Sequence, residues 1–359
     1  MKKLLSLLLV CLLLTACAAQ PSVPTTVPTT AAPTTEPTTE PTTEPTTVPT
    51  TVAPTTEPLP QFRHPLTGLP IEEPVTVRPV AVVTNNINAA LPHHGTSKAD
   101  VVYEILAEGG ITRCLAIYTD LANAGALGSI RSARTYFNSL TKNFQGILVH
   151  CGDSIHANEQ FRTGGYPHVE GGAVAIFYRD QKRLDAGYSL EHTMFVKGDA
   201  LLDYLNQHYS MEAKKDDYGF VFADDALPIG EKAESVTVTY AIGGKTTRFD
   251  YDGEKNAYGV YQHKRDYVDG NTEEKVYFGN VIVMYARMRT TETTHVFHTL
   301  EGENTGYYIS GGKLTPIKWT RAGENDSFHY TLEDGTPLTM TPGTSYIAIV
   351  PTGSTVSYE

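Results

Sequence analysis

Val101-Val-Tyr-Glu-Ile-Leu-Ala-Glu-Gly-Gly-Ile-Thr-Arg113 sets a Gly-Gly pair between two runs of β-branched, aromatic and aliphatic residues. Glycines flanked in this way predict a two-residue hairpin turn. Pairing about Gly109-Gly110 puts Glu108 opposite Ile111, Leu106 opposite Arg113 and Glu104 opposite Leu115. Side chains alternate faces along a strand, so Glu104, Leu106, Glu108 and Arg113 are expected on one face, Arg113 within diagonal reach of both carboxylates. A helix over residues 97–108, capped by Ser97 and stopped at Gly109, competes with this. The β-forming Val101, Val102, Tyr103 and Ile105 favour the hairpin.

The chain of 359 residues does not begin with domain material. Lys2-Lys3, an apolar run over residues 4–14 and Leu14-Thr15-Ala16-Cys17 make a secretory leader over residues 1–17. Its end resembles the bacterial lipobox, which implies that Cys17 is lipidated. The protein would then be extracytoplasmic and held to the cell membrane by a lipid. No later stretch approaches the ~18 consecutive apolar residues of a membrane-spanning helix. Residues 18–60 repeat Pro-Thr-Thr, have no aromatic residue, and carry Glu36, Glu40, Glu44 and Glu57 as their only charges. This composition cannot bury a core and reads as a disordered stalk. At ~3.1 Å per residue it would reach at most about 130 Å.

The formal charge is −12, and loss of Lys2 and Lys3 with the leader takes it to −14. An acidic chain with no basic run argues against nucleic acid as a partner. Beyond Cys17 only Cys114 and Cys151 remain, as a disulfide or as two separate thiols.

The folded part divides by texture into a mixed α/β lobe over residues 61–215 and an antiparallel, β-rich lobe over 216–359, an α+β protein. In the first, residues 78–85 read as a buried strand and 146–150 as another. Ser132 is the expected N-cap of a helix bearing Tyr136, Phe137, Leu140 and Phe144. Residues 174–178 read as a strand and a helix starts at Asp199. In the second, strands recur between Gly, Asn and Asp turns, with another hairpin at Gly311-Gly312 and no helix.

Pro65-Leu-Thr-Gly-Leu-Pro70, Arg78-Pro-Val-Ala-Val82, Ala99-Asp-Val-Val-Tyr-Glu104, Glu108-Gly-Gly-Ile-Thr-Arg113, Ile130-Arg-Ser-Ala-Arg134, Val149-His150 and Arg179-Asp180 occur in that order. Together they resemble the bacterial lipoprotein family typified by YerB, with its N- and C-terminal domains of unknown function. The resemblance covers residues 64–205 and, more weakly, 235–350 through Gly306-Tyr-Tyr, Lys318-Trp319 and Thr341-Pro342-Gly343. It implies a two-part extracytoplasmic domain and brings no established activity. Cys151, Thr135 and Asn85 stand where the family usually has Ala, Pro and Asp, which questions any role for an acid at position 85.

Three groups could carry chemistry. Glu104 and Glu108 beside Arg113 could act as acid and base in glycan cleavage. Four residues along a strand is ~13 Å, too far for the ~5–9.5 Å of a hydrolytic pair, so a Glu–Arg–Glu bridge is the stronger expectation. Arg131, Ser132 and Arg134 at a helix start could bind an anion, unless the arginines pair internally with Glu104 or Glu108. His150 oriented by Asp153, with Arg179, Asp180, Arg183 and His192 nearby, could supply a general base. His93, His94, His295 and His298 lack metal-site spacing and read as solvated loop histidines; no metal or cofactor is expected. The reading is a Glu/Arg/His cleft for an anionic or glycan-containing cell-wall ligand: glycan, peptide or anionic polymer. The alternatives are a wall glycan or peptide hydrolase or lyase using Glu104, Glu108 or His150, and a non-catalytic envelope assembly partner.

Overall fold

Val101–Leu106 is a strand, not the end of a helix, and pairs antiparallel with Thr112–Tyr118. The computed structural model describes residues 61–241, 244–292 and 294–359. The leader, Cys17 and the Pro/Thr stalk read from residues 1–60 lie outside the described residues. The hairpin is one residue away from the expected register: Glu104 faces Cys114, Ile105 faces Arg113 and Leu106 faces Thr112. Residues 107–111 connect the strands, closed by the Ala107 N–H donating to Ile111 O at 2.7 Å. Gly109 and Gly110 take φ of 72° and 73° there, which a side chain would resist. A one-residue slip sends a side chain to the other face. Arg113 therefore lies opposite to Glu104 across the sheet, and the expected Glu104–Arg113–Glu108 bridge does not form.

This hairpin lies inside a twelve-stranded sheet. The path runs Glu231–Lys232, Lys313–Arg321, Gly302–Ser310, Asn280–Thr290, Ser345–Pro351, Val101–Leu106, Thr112–Tyr118, Val80–Asn86, Ile147–His150, His168–Glu170. Val296–Thr299 and His329–Leu332 attach beside it. The α+β reading holds, with mixed structure first and mainly antiparallel strands after. Ser345–Pro351 departs locally from the antiparallel pattern. It runs parallel to both neighbours, Asn280–Thr290 and Val101–Leu106, and so joins late strands to the early hairpin. Gly311-Gly312 makes the expected two-residue turn, Ser310 pairing with Lys313 and both glycines at positive φ.

The sheet buries both faces. Val82, Val102, Cys114, Ala116 and Tyr346 pack with Val236, Val238, Phe249, Tyr258 and Val260 of a second, six-stranded sheet. Ala81, Val83, Tyr103, Ile105 and Ile117 pack with Tyr136, Phe137, Leu140 and Phe144. Strands covered on both sides read as continuous apolar runs, as 80–83 and 114–118 do.

The helix bearing Tyr136 is Thr135–Asn143, and its N-cap is Arg134, with no side-chain hydrogen bond to the free N–H groups. Ser132 is two residues too early to cap it. Ser154 caps Ile155–Thr163 through the Ala157 N–H, and Gly198–His208 follows later. Of the expected strand over residues 174–178 only Tyr178 is in a strand, the two-residue Tyr178–Arg179. Among the described residues no helix follows His208.

Candidate functional site

Glu104 is fully buried on the face toward the six-stranded sheet. Its Oε1 accepts from Thr112 Oγ1 at 2.6 Å and Asn86 Nδ2 at 2.7 Å, and stands 3.0 Å from Lys245 Nζ. Its Oε2 accepts from Thr247 Oγ1 and Tyr346 Oη, both at 2.7 Å. Burial pushes the carboxyl up, but the Lys245 ammonium and the three hydroxyls outweigh it and bring the pKa down to about 2. With five donors on two oxygens and no exposure, Glu104 has no free lone pair facing solvent. A closed ion pair of this kind is a structural element, and a proton-transfer group needs access.

The other face carries the charge that is not balanced. Arg113 is 5% exposed; its Nη1 donates to Ser132 O at 2.8 Å, while Nε is buried with no partner. No carboxylate pairs with it among the described residues. Burial first, then the nearby Arg134 and Arg131 charges, push its pKa down to about 10. Arg134 Nε donates to Glu108 Oε1 at 2.8 Å and its Nη1 to Ala133 O. Despite partial burial, that bond holds the Glu108 carboxyl below the usual range. Arg131 Nη2 donates to Glu191 Oε2 at 2.8 Å, and its Nε is buried without a partner. Three guanidiniums thus share two acids.

The arginines gather for a topological reason. Arg113 lies directly across from Asn85, near the end of Val80–Asn86, and the Arg131 N–H donates to Val83 O. The 130–134 segment therefore crosses the end of this strand before entering the helix. Asn85 Oδ1 and Tyr136 Oη are buried there with no partner. Polar groups at the exit of a buried strand beside a helix start suit anion capture. Ser132 contributes its carbonyl, not a cap.

The segment after His150 lies against residues 131–133, the Cys151 N–H donating to Arg131 O at 3.0 Å and the Ala133 N–H to Gly152 O at 2.9 Å, but the His150 imidazole is engaged elsewhere. Its Nδ1 is 2.8 Å from Gly152 O, so that nitrogen carries the proton, and Nε2 accepts from His168 Nδ1 at 2.9 Å. Both ring nitrogens are engaged, and burial lowers its pKa. Asp153 does not orient it; its Oδ2 takes Asn158 Nδ2 at 3.3 Å. Arg183 is a buried clamp on the carbonyls of Ala90, His192 and Pro92, with Phe195 and Tyr188 stacked on it. Asp180 caps Gln181–Asp185, and Arg179 Nη1 donates to Leu190 O. His192 Nδ1 accepts from Asn85 Nδ2 at 3.0 Å. Cys114 and Cys151 are both free thiols. His93 is fully buried against Tyr267, and His298 bonds Leu106 O, so neither is a solvated loop histidine.

Asn85, Tyr136, Lys245 and Tyr346 were not among the sequence candidates. Only Asn85 had a local signal, its place at the end of an apolar run. Lys245 has none, since its partner is far away in the chain.

The model of the N-terminal domain of a protein of unknown function (DUF3048) matches residues 66–211, and that of its C-terminal domain matches 236–347. A Bacillus subtilis strain 168 protein named as a lipoprotein, YerB, is 32% identical over 304 residues, 81% of this chain and 87% of that protein. The crystal structure of the YerB protein from Bacillus subtilis is similar with a TM-score of 0.72 and 28% identity, covering 83% of this chain and 100% of that one.

Glu104 sets a pH dependence. Its folded pKa lies below the unfolded value of ~4.3, so its contribution is full above that value and lost as pH falls toward about 2. The unfolding free energy of the wild type, read by urea titration, should fall between pH 5 and pH 2, by up to roughly 3 kcal/mol from this group. Lys245→Met should cost about 3–5 kcal/mol at pH 7 and start the decline at higher pH. A wild-type stability flat over that range would contradict the assignment.

Proposed function

This chain belongs to the DUF3048 family, and from that membership and the arginine cluster we propose a lipid-anchored, extracytoplasmic protein that binds an anionic ligand of the cell wall. The relative's name as a lipoprotein and the Leu14-Thr15-Ala16-Cys17 sequence support the anchor. No helix among the described residues is long and apolar enough to cross a membrane. Replacing Cys17 by Ser should move the protein from the membrane to the soluble fraction; retention in the membrane would contradict the anchor.

The observation that carries the binding reading is Arg113. A buried guanidinium without a counter-charge is costly, and an arriving carboxylate or phosphate supplies the missing charge and takes the free Nε–H. Arg131 offers a second free Nε–H, and the uncapped start of Thr135–Asn143 adds oriented backbone dipoles. Binding is favoured over hydrolysis because Glu104 is closed, Glu108 is paired to Arg134, and both nitrogens of His150 are engaged. Aspartate or glutamate groups of wall peptides and phosphates of anionic wall polymers both fit this chemistry.

Arg113→Met should weaken inorganic phosphate binding by at least about tenfold, the worth of about 1.4 kcal/mol. Its melting temperature should stay level or rise, because an unpaired buried charge is removed. Calorimetric titration and thermal melts read the two effects, and purified wall fragments should retain the wild type but not the variant. Unchanged affinity with a lower melting temperature would make Arg113 structural and overturn the proposal.

A further inference from the structure

A cavity of about 310 Å³ is lined in part by Thr135 and Tyr136, the two residues that follow Arg134 in the chain. That is at the small end of the range for ligand sites, ~300–1,000 Å³. Tyr136 joins the two regions. Its hydroxyl feels the charges of Arg113, Glu108 and Arg134, while its ring meets the His298 ring edge-on at 5.0 Å. Tyr136 is 2% exposed and its hydroxyl has no partner. A buried hydroxyl left unpaired costs about 1–3 kcal/mol, which a ligand atom would relieve.

His298 adds a second such atom. Its Nε2 is 2.8 Å from Leu106 O, and a carbonyl only accepts, so Nε2 carries the proton. Burial pulls the ring pKa to about 4 and keeps it neutral. Nδ1 is then a bare acceptor, buried and without a partner. Gln160 Oε1 already accepts from Asn138 Nδ2, which leaves its amide hydrogens for a ligand. Phe297 gives the cavity an aromatic wall, backed by Arg289 with its guanidinium 4.2 Å from the ring centre. Glu301 and Glu324 complete the lining. The cavity therefore offers the bare acceptor of His298, an amide donor, hydroxyls that can donate or accept and an aromatic face, and its acids repel a second anion.

Resting on the anion-binding reading above, we infer that this cavity holds a hydroxyl-bearing sugar ring whose anionic substituent lies among Arg113, Arg131 and Arg134. Ring hydroxyls donate to His298 Nδ1 and exchange hydrogen bonds with Tyr136 Oη, the Gln160 amide donates to a ring oxygen, and the apolar face of the ring lies on Phe297.

The test is calorimetric titration of the full-length protein, in neutral detergent, with glucose 1-phosphate and with inorganic phosphate. The sugar phosphate should bind at least about tenfold more tightly than phosphate. His298→Leu should erase that ratio while phosphate affinity stays within about twofold, and His298→Gln, which keeps a donor and an acceptor, should restore part of it. Should His298→Leu fail to fold, Phe297→Ala at the half-buried wall should erase the ratio in the same way. Equal affinity of the wild type for the two ligands would overturn the sugar subsite and leave the anion site standing. Binding of neither would overturn both.

Discussion

The buried carboxylate of Glu104 is the point at which this fold closes. It takes hydrogen bonds from Asn86, Thr112, Thr247 and Tyr346 and the charge of Lys245, drawing on four separate strands and a loop. A buried ion pair is a net cost unless every lone pair finds a donor, and here each oxygen has at least two. Without Lys245 a charge would be stranded in the core, and without any of the neutral donors a buried lone pair would go unmatched. That requirement couples the hairpin, the neighbouring strand, the second sheet and the late parallel strand into one cooperative unit.

The same requirement decides the hairpin register. Thr112 reaches Glu104 only if it shares that face, which sets Leu106 opposite Thr112 and turns Arg113 to the other side. The two faces of one hairpin then reach opposite electrostatic states. On one, an acid is fully matched and closed to solvent. On the other, Arg113 stands among Arg131 and Arg134 with too few acids, its Nε–H unpaired. A fold stabilised on the first face can tolerate the cost on the second, where the proposed anion binding gives the unmatched cation a use. The matched acid and the unmatched cation are thereby separated by the thickness of a sheet.

Local patterns were readable where local physics decides. The strands at 101–106 and 112–118, the Gly311-Gly312 turn and the apolar face of the helix at 135–143 follow from alternation, turn chemistry and helical spacing. The register did not follow, because a Gly-Gly pair allows a longer connection and the choice is made by Lys245, Thr247 and Tyr346, far away in the chain. The helix cap was misread for a similar reason: Ser132 has the right chemistry, but its segment is held to Val83 and Arg113, and the helix begins later. Arg131 and Arg134 stand out in the sequence as a candidate anion site by their place before a helix. Their grouping with Arg113 on one face was not, since it depends on the corrected register. Nor was the closure of His150, whose partner His168 arrives through a parallel strand pairing.

The most direct test of this account is a double-mutant cycle on Glu104→Gln and Lys245→Met, read by urea unfolding at pH 7. The account predicts a coupling of about 1–3 kcal/mol, the double variant being markedly more stable than the sum of the single losses implies. Additive losses within about 0.5 kcal/mol would show that the two residues act independently, and would contradict the claim that their pairing closes the fold.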